Sequence, residues 1–287
     1  MRILLTGRNG QVGWELERKL APLGEVIATD RATLDLADPD AIRRVVREAK
    51  PQVIVNAAAN TAVDLAESEP ELAMLINGIA PGILADEAKR LGALLVHYST
   101  DYVFDGEKAT PYVEDDPPNP LNVYGRTKLA GERAIQAAGC RHLILRTSWV
   151  YGARGKNFLL TILRLAREQQ ELRVVDDQLG APTTSGVIAA ATVALLPAVM
   201  KNAPAQSLYH MSASGATSWY GFAREILMRA GLRNRLIPNS SRQFSAAASR
   251  PRNSVLDNGL IITRLGIRLA TWMDGLQSAL EELRAIR

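Results

Sequence analysis

The chain is poor in sulfur, imidazole and aromatic rings, with one cysteine, three histidines and aromatic residues at 5%. A lone cysteine, Cys140, excludes an internal disulfide framework, and so few dispersed histidines argue against a Cys/His metal centre. That pattern suits a reducing cytosol. No apolar run approaches the ~18–20 residues of a membrane span. Met1-Arg2-Ile3-Leu4-Leu5-Thr6 reaches glycine too soon for a secretory leader. The net charge is +4, yet the basic residues are scattered, with no block of like charge. A cytoplasmic protein is therefore expected, with neither nucleic acid nor membrane as a partner.

What the chain does have is core-forming material: 287 residues, 47% of them hydrophobic and 22% charged. That is enough for one large or two unequal domains. Short β-rich apolar runs, Arg2 to Thr6, Glu25 to Thr29, Gln52 to Asn56, Leu94 to Ser99 and His142 to Arg146, alternate with helical patterns. This alternation predicts an α/β fold of Rossmann type, a doubly wound parallel sheet covered on both faces. Asp38-Pro39 reads as N-cap and first-turn proline of a helix, and Ser68-Glu69-Pro70-Glu71 as a capping box. Pro81-Gly82 is expected to kink or split the helix it lies in.

After about Tyr151 the alternation weakens, and helical stretches (Phe158 to Gln169, Ser185 to Met200, Tyr220 to Ala230, Thr271 to Arg284) are joined by polar connections. Residues 1–150 are thus expected to form a dinucleotide-binding domain, and 151–287 mainly a smaller C-terminal α/β substrate-binding domain. The chain is expected to return to the first domain near 185–215, because Ser207 to Met211 reads as one more strand. The proline- and acid-rich loop Pro111 to Pro120 feeds into the next helix and is expected to line a site.

Gly7-Arg8-Asn9-Gly10-Gln11-Val12-Gly13 directly follows the first strand and opens an amphipathic helix. In that setting glycines permit a tight turn, and backbone N–H groups meet a pyrophosphate at the positive helix end. Asp30, closing the second strand, can accept hydrogen bonds from a ribose 2′-hydroxyl, which favours NADH. Arg31 beside it, with Arg8, can pair with a 2′-phosphate, which leaves NADPH equally open. Asp35 and Leu36 are candidates for the adenine, and the small Ala57-Ala58-Ala59 end of the third strand for contact with the cofactor or for plain packing.

Asn122-Val123-Tyr124-Gly125-Arg126-Thr127-Lys128 sets a tyrosine and a lysine at i and i+4, one turn apart on one helix face. A phenol near its ordinary pKa of ~10 shuttles protons poorly at neutral pH unless a cation stands beside it. Lys128 is expected to be that cation.

The order of these signals carries more than any one of them. A glycine loop after strand one, Asn56-Ala57-Ala58-Ala59 ending strand three, Ser99-Thr100-Asp101 ending strand four and Tyr124-x3-Lys128 on the next helix resemble the extended short-chain dehydrogenase/reductases. Within them, three stretches resemble the dTDP-4-dehydrorhamnose reductase family: Tyr98-Ser99-Thr100-Asp101-Tyr102-Val103-Phe104-Asp105-Gly106, Arg146-Thr147-Ser148-Trp149-Val150-Tyr151-Gly152 and Asp177-Gln178-Leu179-Gly180-Ala181-Pro182-Thr183. Arg250-Pro251-x-x-Ser254-x-Leu256 fits the same family, so the similarity spans nearly the whole chain.

The resemblance implies hydride transfer from NADPH or NADH to the C4 ketone of a nucleotide sugar. Tyr124 would supply the proton, Lys128 would keep it acidic, and Thr100 would orient the carbonyl oxygen. It also implies Thr100 and Asp101 at the sugar, Trp149 in the pocket or in core packing, Gln178 with Pro182 and Thr183 toward the nucleotide, and Arg250 at the substrate pyrophosphate. Some members of the family place Mg²⁺ between subunits with glutamates. Glu15 matches and Glu281 or Glu282 could, but Ser185-Gly186 offers no carboxylate, so no metal is expected, and monomer and homodimer both stay open. The competing readings are another sugar-nucleotide enzyme of this class, an epimerase or dehydratase, and a non-catalytic regulatory subunit on the same fold.

Overall fold

The computed structural model describes residues 1–202, 206–243 and 246–286. The early apolar runs form β1 (Arg2–Thr6), β2 (Glu25–Ala28), β3 (Val53–Asn56), β4 (Leu94–Thr100) and β5 (Arg141–Thr147). Between them lie α1 (Gln11–Leu20), α2 (Pro39–Ala49), α3 (Val63–Ser68), α4 (Pro70–Met74), α5 (Ala80–Leu91) and α6 (Val123–Ala138). The remainder adds β6 (Val150–Tyr151), α7 (Phe158–Glu168), β7 (Glu171–Val175), β8 (Leu179–Gly180), β9 (Thr183–Thr184) and α8 (Ser185–Asn202). It ends with β10 (Gln206–His210), β11 (Thr217–Ser218), α9 (Trp219–Arg229), β12 (Arg235–Asn239), α10 (Gly259–Leu265) and α11 (Trp272–Ala285).

The main sheet is parallel throughout, in the order β2-β1-β3-β4-β5-β10. The winding direction reverses between β1 and β3, which opens a crevice beyond their carboxyl ends where α/β sheets bind ligands. Alternation along the strands sorts side chains to two covered faces. Ile3, Leu5, Val53, Val55 and Val96 pack with Leu16 of α1 and Ile188 and Leu196 of α8. On the other face Leu4, Ile54, Leu95 and Ile144 meet Ile42, Val46 and Leu84 of α2 and α5. A third cluster, around Leu159, Leu172, Phe222, Ile226 and Leu276, joins α7, β7, α9 and α11 away from the sheet. Among the described residues no helix is long and apolar enough to cross a membrane.

Local signals held where the side chain had one good partner. Asp38 accepts from the N–H groups of Asp40 and Ala41, at 2.9 and 3.1 Å, with Pro39 in the first turn. The capping box expected at Ser68 does not form. Ser68 ends α3 and its hydroxyl donates back to the Leu65 carbonyl, leaving Pro70 to open α4 unaided. The kink expected at Pro81-Gly82 falls one turn earlier, as a widened π-turn at Leu75–Ile79 in which Ala80 N–H reaches Leu75 O. Pro81 has no N–H to return to the Asn77 carbonyl, and the wider turn absorbs that mismatch.

The π-turn positions α6. A Cβ on Gly131 would collide with the Asn77 carbonyl, so only glycine lets the helices approach this closely. The Asn77 side chain bonds the Asn60 backbone twice, at 2.9 Å each, and lies 3.2 Å from Thr127 Oγ1 on α6.

Candidate active site

The loop after β1 turns at Gly7, with φ of +73°, where a Cβ would meet the Ala58 backbone at 2.8 Å. The small end of β3 is therefore used for packing as well as for lining: Ala58 seats the glycine loop, and Ala57, Ala58 and Ala59 all border the cleft. Gly10 N–H donates to Gly7 O at 2.9 Å, and Gly13 sits against the same carbonyl. No side chain caps the start of α1, so the N–H groups of its first turn remain for a ligand.

Asp30 turns back on its own chain. Its carboxylate accepts from Ala32 N, Thr33 N and Thr33 Oγ1 at 3.0–3.1 Å and from Asn9 Nδ2 at 3.3 Å. The Thr33 hydroxyl foremost holds its pKa below the usual carboxylate value. Arg8 is paired with Glu17 at 2.7 Å, whereas Arg31 reaches only Asp35, at 3.7 Å, and its side chain is 80% exposed. Of the two arginines, Arg31 is the less committed.

Asn122 caps α6 by accepting from Gly125 N–H at 2.8 Å, and its amide ties the helix start to Ser249 O at 2.7 Å. From there Tyr124 and Lys128 both reach the cleft. Burial pushes the Tyr124 phenol up to about 12, with the Thr100 hydroxyl opposing that rise. The expected lowering by Lys128 is not what the structure has. Lys128 is 2% exposed, donates to Tyr98 O at 2.6 Å and lies 3.2 Å from His97 Nε2. Burial lowers its own pKa to about 8, partly countered by Glu132. A phenol so raised is fully protonated at neutral pH, a loaded donor rather than a phenolate.

Thr100 Oγ1 donates to Asp101 Oδ1 at 3.0 Å and accepts from Tyr102 N–H at 3.1 Å. Asp101 is 2% exposed, and burial drives its carboxyl up to about 7. Its other oxygen, together with the hydroxyls of Ser99 and Thr147, is buried without a partner. All three residues border the cleft, where these groups can meet a ligand.

Trp149 takes a left-handed backbone, φ +46°, and lays its ring on Trp219 with centroids 3.5 Å apart and planes 1° from parallel. Gly180 lies flat beneath it, where a Cβ would strike the indole. Such backbone strain in a non-glycine residue costs roughly 1–3 kcal/mol and marks a position the surroundings over-determine.

The cleft has a volume of about 760 Å³. It gathers Gly7, Gly10, Gln11, Val12, Asp30, Arg31, Asp35, Leu36, Ala57, Ala58, Ala59, Thr100, Asp101, Tyr124, Lys128 and Trp149. Asn9 and Gly13 support its walls without lining it. Gln178 is buried outside it. Thr183 is committed to fixing its loop, donating to Ala181 O and accepting from Ala213 N at 2.9 Å each. Arg250 also departs from expectation. Its fork grips Asp64 at 2.7 and 3.2 Å, since a carboxylate satisfies the same planar geometry as a phosphate. The acid-rich loop turns elsewhere: Glu114 accepts from His210 N–H at 2.8 Å and Asp116 binds Lys108 at 2.5 Å.

Residues 1–285 match the model of the RmlD substrate binding domain family. The chain belongs to the RmlD family. Relatives include the dTDP-4-dehydrorhamnose reductases of Burkholderia thailandensis, 49% identical with 95% of each chain covered, and of Escherichia coli, 45% identical over 99% of this chain and 98% of that one. A solved dTDP-4-dehydrorhamnose reductase from Bacillus anthracis in complex with NADP superposes with a TM-score of 0.93, at 35% identity over 98% of this chain and 99% of that one. A UDP-glucose 4-epimerase from Thermotoga maritima shares the fold at 19% identity, with a TM-score of 0.85 and coverage of 100% and 99%.

In this RmlD family chain, sequence reasoning missed Trp219, Thr147, Ser99 and Lys156, all of which border the cleft. Trp219 opens a helix far along the chain, and only the third core brings it back to Trp149. Ser99 and Thr147 end adjacent strands and read as ordinary β-formers. Their one signal is polarity at the carboxyl end of a parallel strand. Among the described residues no three His, Cys, Asp or Glu side chains cluster as a metal site.

Proposed function

We propose that the chain reduces the C4 ketone of dTDP-4-dehydro-β-L-rhamnose to dTDP-L-rhamnose with NADPH or NADH. The observation that carries this reading is the meeting, in one cleft, of a protonated Tyr124, the Thr100 hydroxyl and the uncapped glycine-loop end of α1. The dinucleotide fits: the loop has no side chain at Gly7 or Gly10, α1 offers free N–H groups, and Arg31 stands by Asp35 at the far end. When bound, the nicotinamide supplies the hydride.

The chain's own residues do the rest. As negative charge builds on the C4 oxygen, the Thr100 hydroxyl turns its one proton from Asp101 Oδ1 to that oxygen and orients it, and Tyr124 delivers its proton there. Lys128, charged below about pH 8, stabilises the phenolate left on Tyr124 and binds the nicotinamide ribose. Asp101 receives a sugar hydroxyl on its unpartnered oxygen, and Trp149 stacked on Trp219 gives a flat apolar wall. The third core carries the substrate-binding lobe, while α8 and β10 belong with the dinucleotide-binding lobe. Cys140, free and buried, accords with a reducing cytosol.

The test is to supply dTDP-4-dehydro-β-L-rhamnose with NADPH and, separately, NADH, and to follow absorbance of the reduced nicotinamide. Consumption coupled to dTDP-L-rhamnose is the expected result; no consumption with either cofactor would refute the reading.

A further inference from the structure

Beneath Lys128 the sheet carries a line of polar side chains to which the chemistry above gives no task. Thr6 on β1 bonds Asn56 on β3 at 2.7 Å, Asn56 Nδ2 lies 3.0 Å from His97 Nδ1 on β4, and His97 Nε2 lies 3.2 Å from Lys128 Nζ. Thr6, Asn56 and His97 are at most 1% exposed. Aliphatic residues at these positions would avoid the desolvation cost of such a line.

Donor and acceptor counting shows what the line can do. A neutral imidazole has one N–H and one lone pair, and an ammonium can only donate. A charged Lys128 therefore makes His97 Nε2 the acceptor and puts the ring proton on Nδ1. Nδ1–H then needs an acceptor, which Asn56 provides once its amide is turned over from the orientation in which Oδ1 accepts from Thr6 Oγ1 and Nδ2 faces the ring; turned, Oδ1 faces the ring and Nδ2 donates to Thr6 Oγ1, and the two ends of an amide are near-identical in shape. With the amide nitrogen there instead, the ring proton moves to Nε2 and faces a Lys128 that must be a neutral amine. Charge on Lys128, the His97 tautomer and the Asn56 orientation thus change together.

We propose that His97 is a positioning residue that keeps Lys128 charged and aimed at the cleft, with Asn56 selecting the tautomer that permits it. The inference rests on the reading of Lys128 as the partner of Tyr124. Tyr98 O and His97 take two of the three ammonium protons and leave one for the cleft. Glu132 raises the Lys128 pKa through space but is not hydrogen-bonded to it. On α6 Lys128 is joined by Tyr124 and by Glu132, and Glu132 is held by Arg146 of β5 at 2.7 and 2.9 Å. From β3 it faces the neutral Asn56 through His97. His97 stays neutral, because burial and the charge of Lys128 both press its pKa well below the ordinary value.

The experiment follows the Lys128 Nζ signal against pH in ¹⁵N-lysine-labelled protein, assigned with Lys128→Met, and compares wild type with His97→Leu, His97→Asn and His97→Gln. Loss of a hydrogen bond to a charged group is expected to move the Lys128 titration in His97→Leu down by about one to two pH units. His97→Asn, too short to reach, shifts likewise, and His97→Gln, whose amide oxygen can accept, restores the titration to within about half a unit of wild type. If His97→Leu does not fold, the contrast between His97→Asn and His97→Gln decides. Unchanged Lys128 titration in the folded Leu or Asn variants, or an equal shift in Asn and Gln, would overturn the proposal. The alkaline limb of the turnover profile must move with the NMR titration. Because that titration needs no substrate, a chain inactive on the sugar would refute the proposed reaction and leave this inference standing or falling separately.

Discussion

Asp101→Asn should make the protein more stable with rising pH relative to the parent while weakening its hold on the sugar. Burial raises the Asp101 carboxyl from 3.8 to about 7. Below the lower value the group is neutral in both folded and unfolded chains and costs nothing. Between the two values the unfolded chain releases the proton and the folded one keeps it, so stability falls as pH rises. The slope is roughly 1.4 kcal/mol per pH unit for one proton, and the full loss above pH 7 is about 4 kcal/mol. Asparagine carries no charge at any of these pH values. Its Nδ2 would occupy the place of the partnerless oxygen at a constant cost of ~1–3 kcal/mol, which offsets the curve without tilting it. The stability difference between Asp101→Asn and the parent should therefore grow by about 4 kcal/mol from pH 4 to pH 8, read from urea midpoints at fixed pH. A difference that stays flat across that range would show that Asp101 is not held as the neutral acid.

Tyr124→Phe should lower kcat by at least ~10²-fold with NADPH affinity nearly unchanged, the scale of losing a positioned acid; near-normal turnover would mean that another group donates the proton. Arg31→Ala should weaken NADPH more than NADH in a fluorescence titration, because Arg31 is exposed and only loosely tied to Asp35; equal weakening would place the 2′-phosphate elsewhere. Gly131→Ala should destabilise the fold by ~1–3 kcal/mol in urea unfolding, since its methyl must push α6 off the Asn77 carbonyl. Unchanged stability there would mean that the π-turn yields at little cost.

The Tyr124/Lys128 pair shows how far sequence reasoning reaches. Their spacing fixed a shared helix face, and both side chains do border the cleft. Their electrostatic relation was not legible. It depends on Tyr98 O and His97 of β4, which hold the ammonium from the sheet side. Arg250 teaches the same lesson from the other side: a fork suited to phosphate is equally suited to Asp64, and only the fold decides which one it meets.

The sequence by itself determined the strands of the main sheet, the glycine loop, the winding of that parallel sheet and which helix carries Tyr124, because these follow from periodicities of two and 3.6, from proline and glycine chemistry and from short-range caps. Tertiary structure alone decided the π-turn beneath Gly131, the stack of Trp149 on Trp219, the raised carboxyl pKa of Asp101 and the line from Thr6 to Lys128. Each of these depends on burial and on hydrogen-bond partners many residues apart, and neither quantity exists until the strands lie side by side.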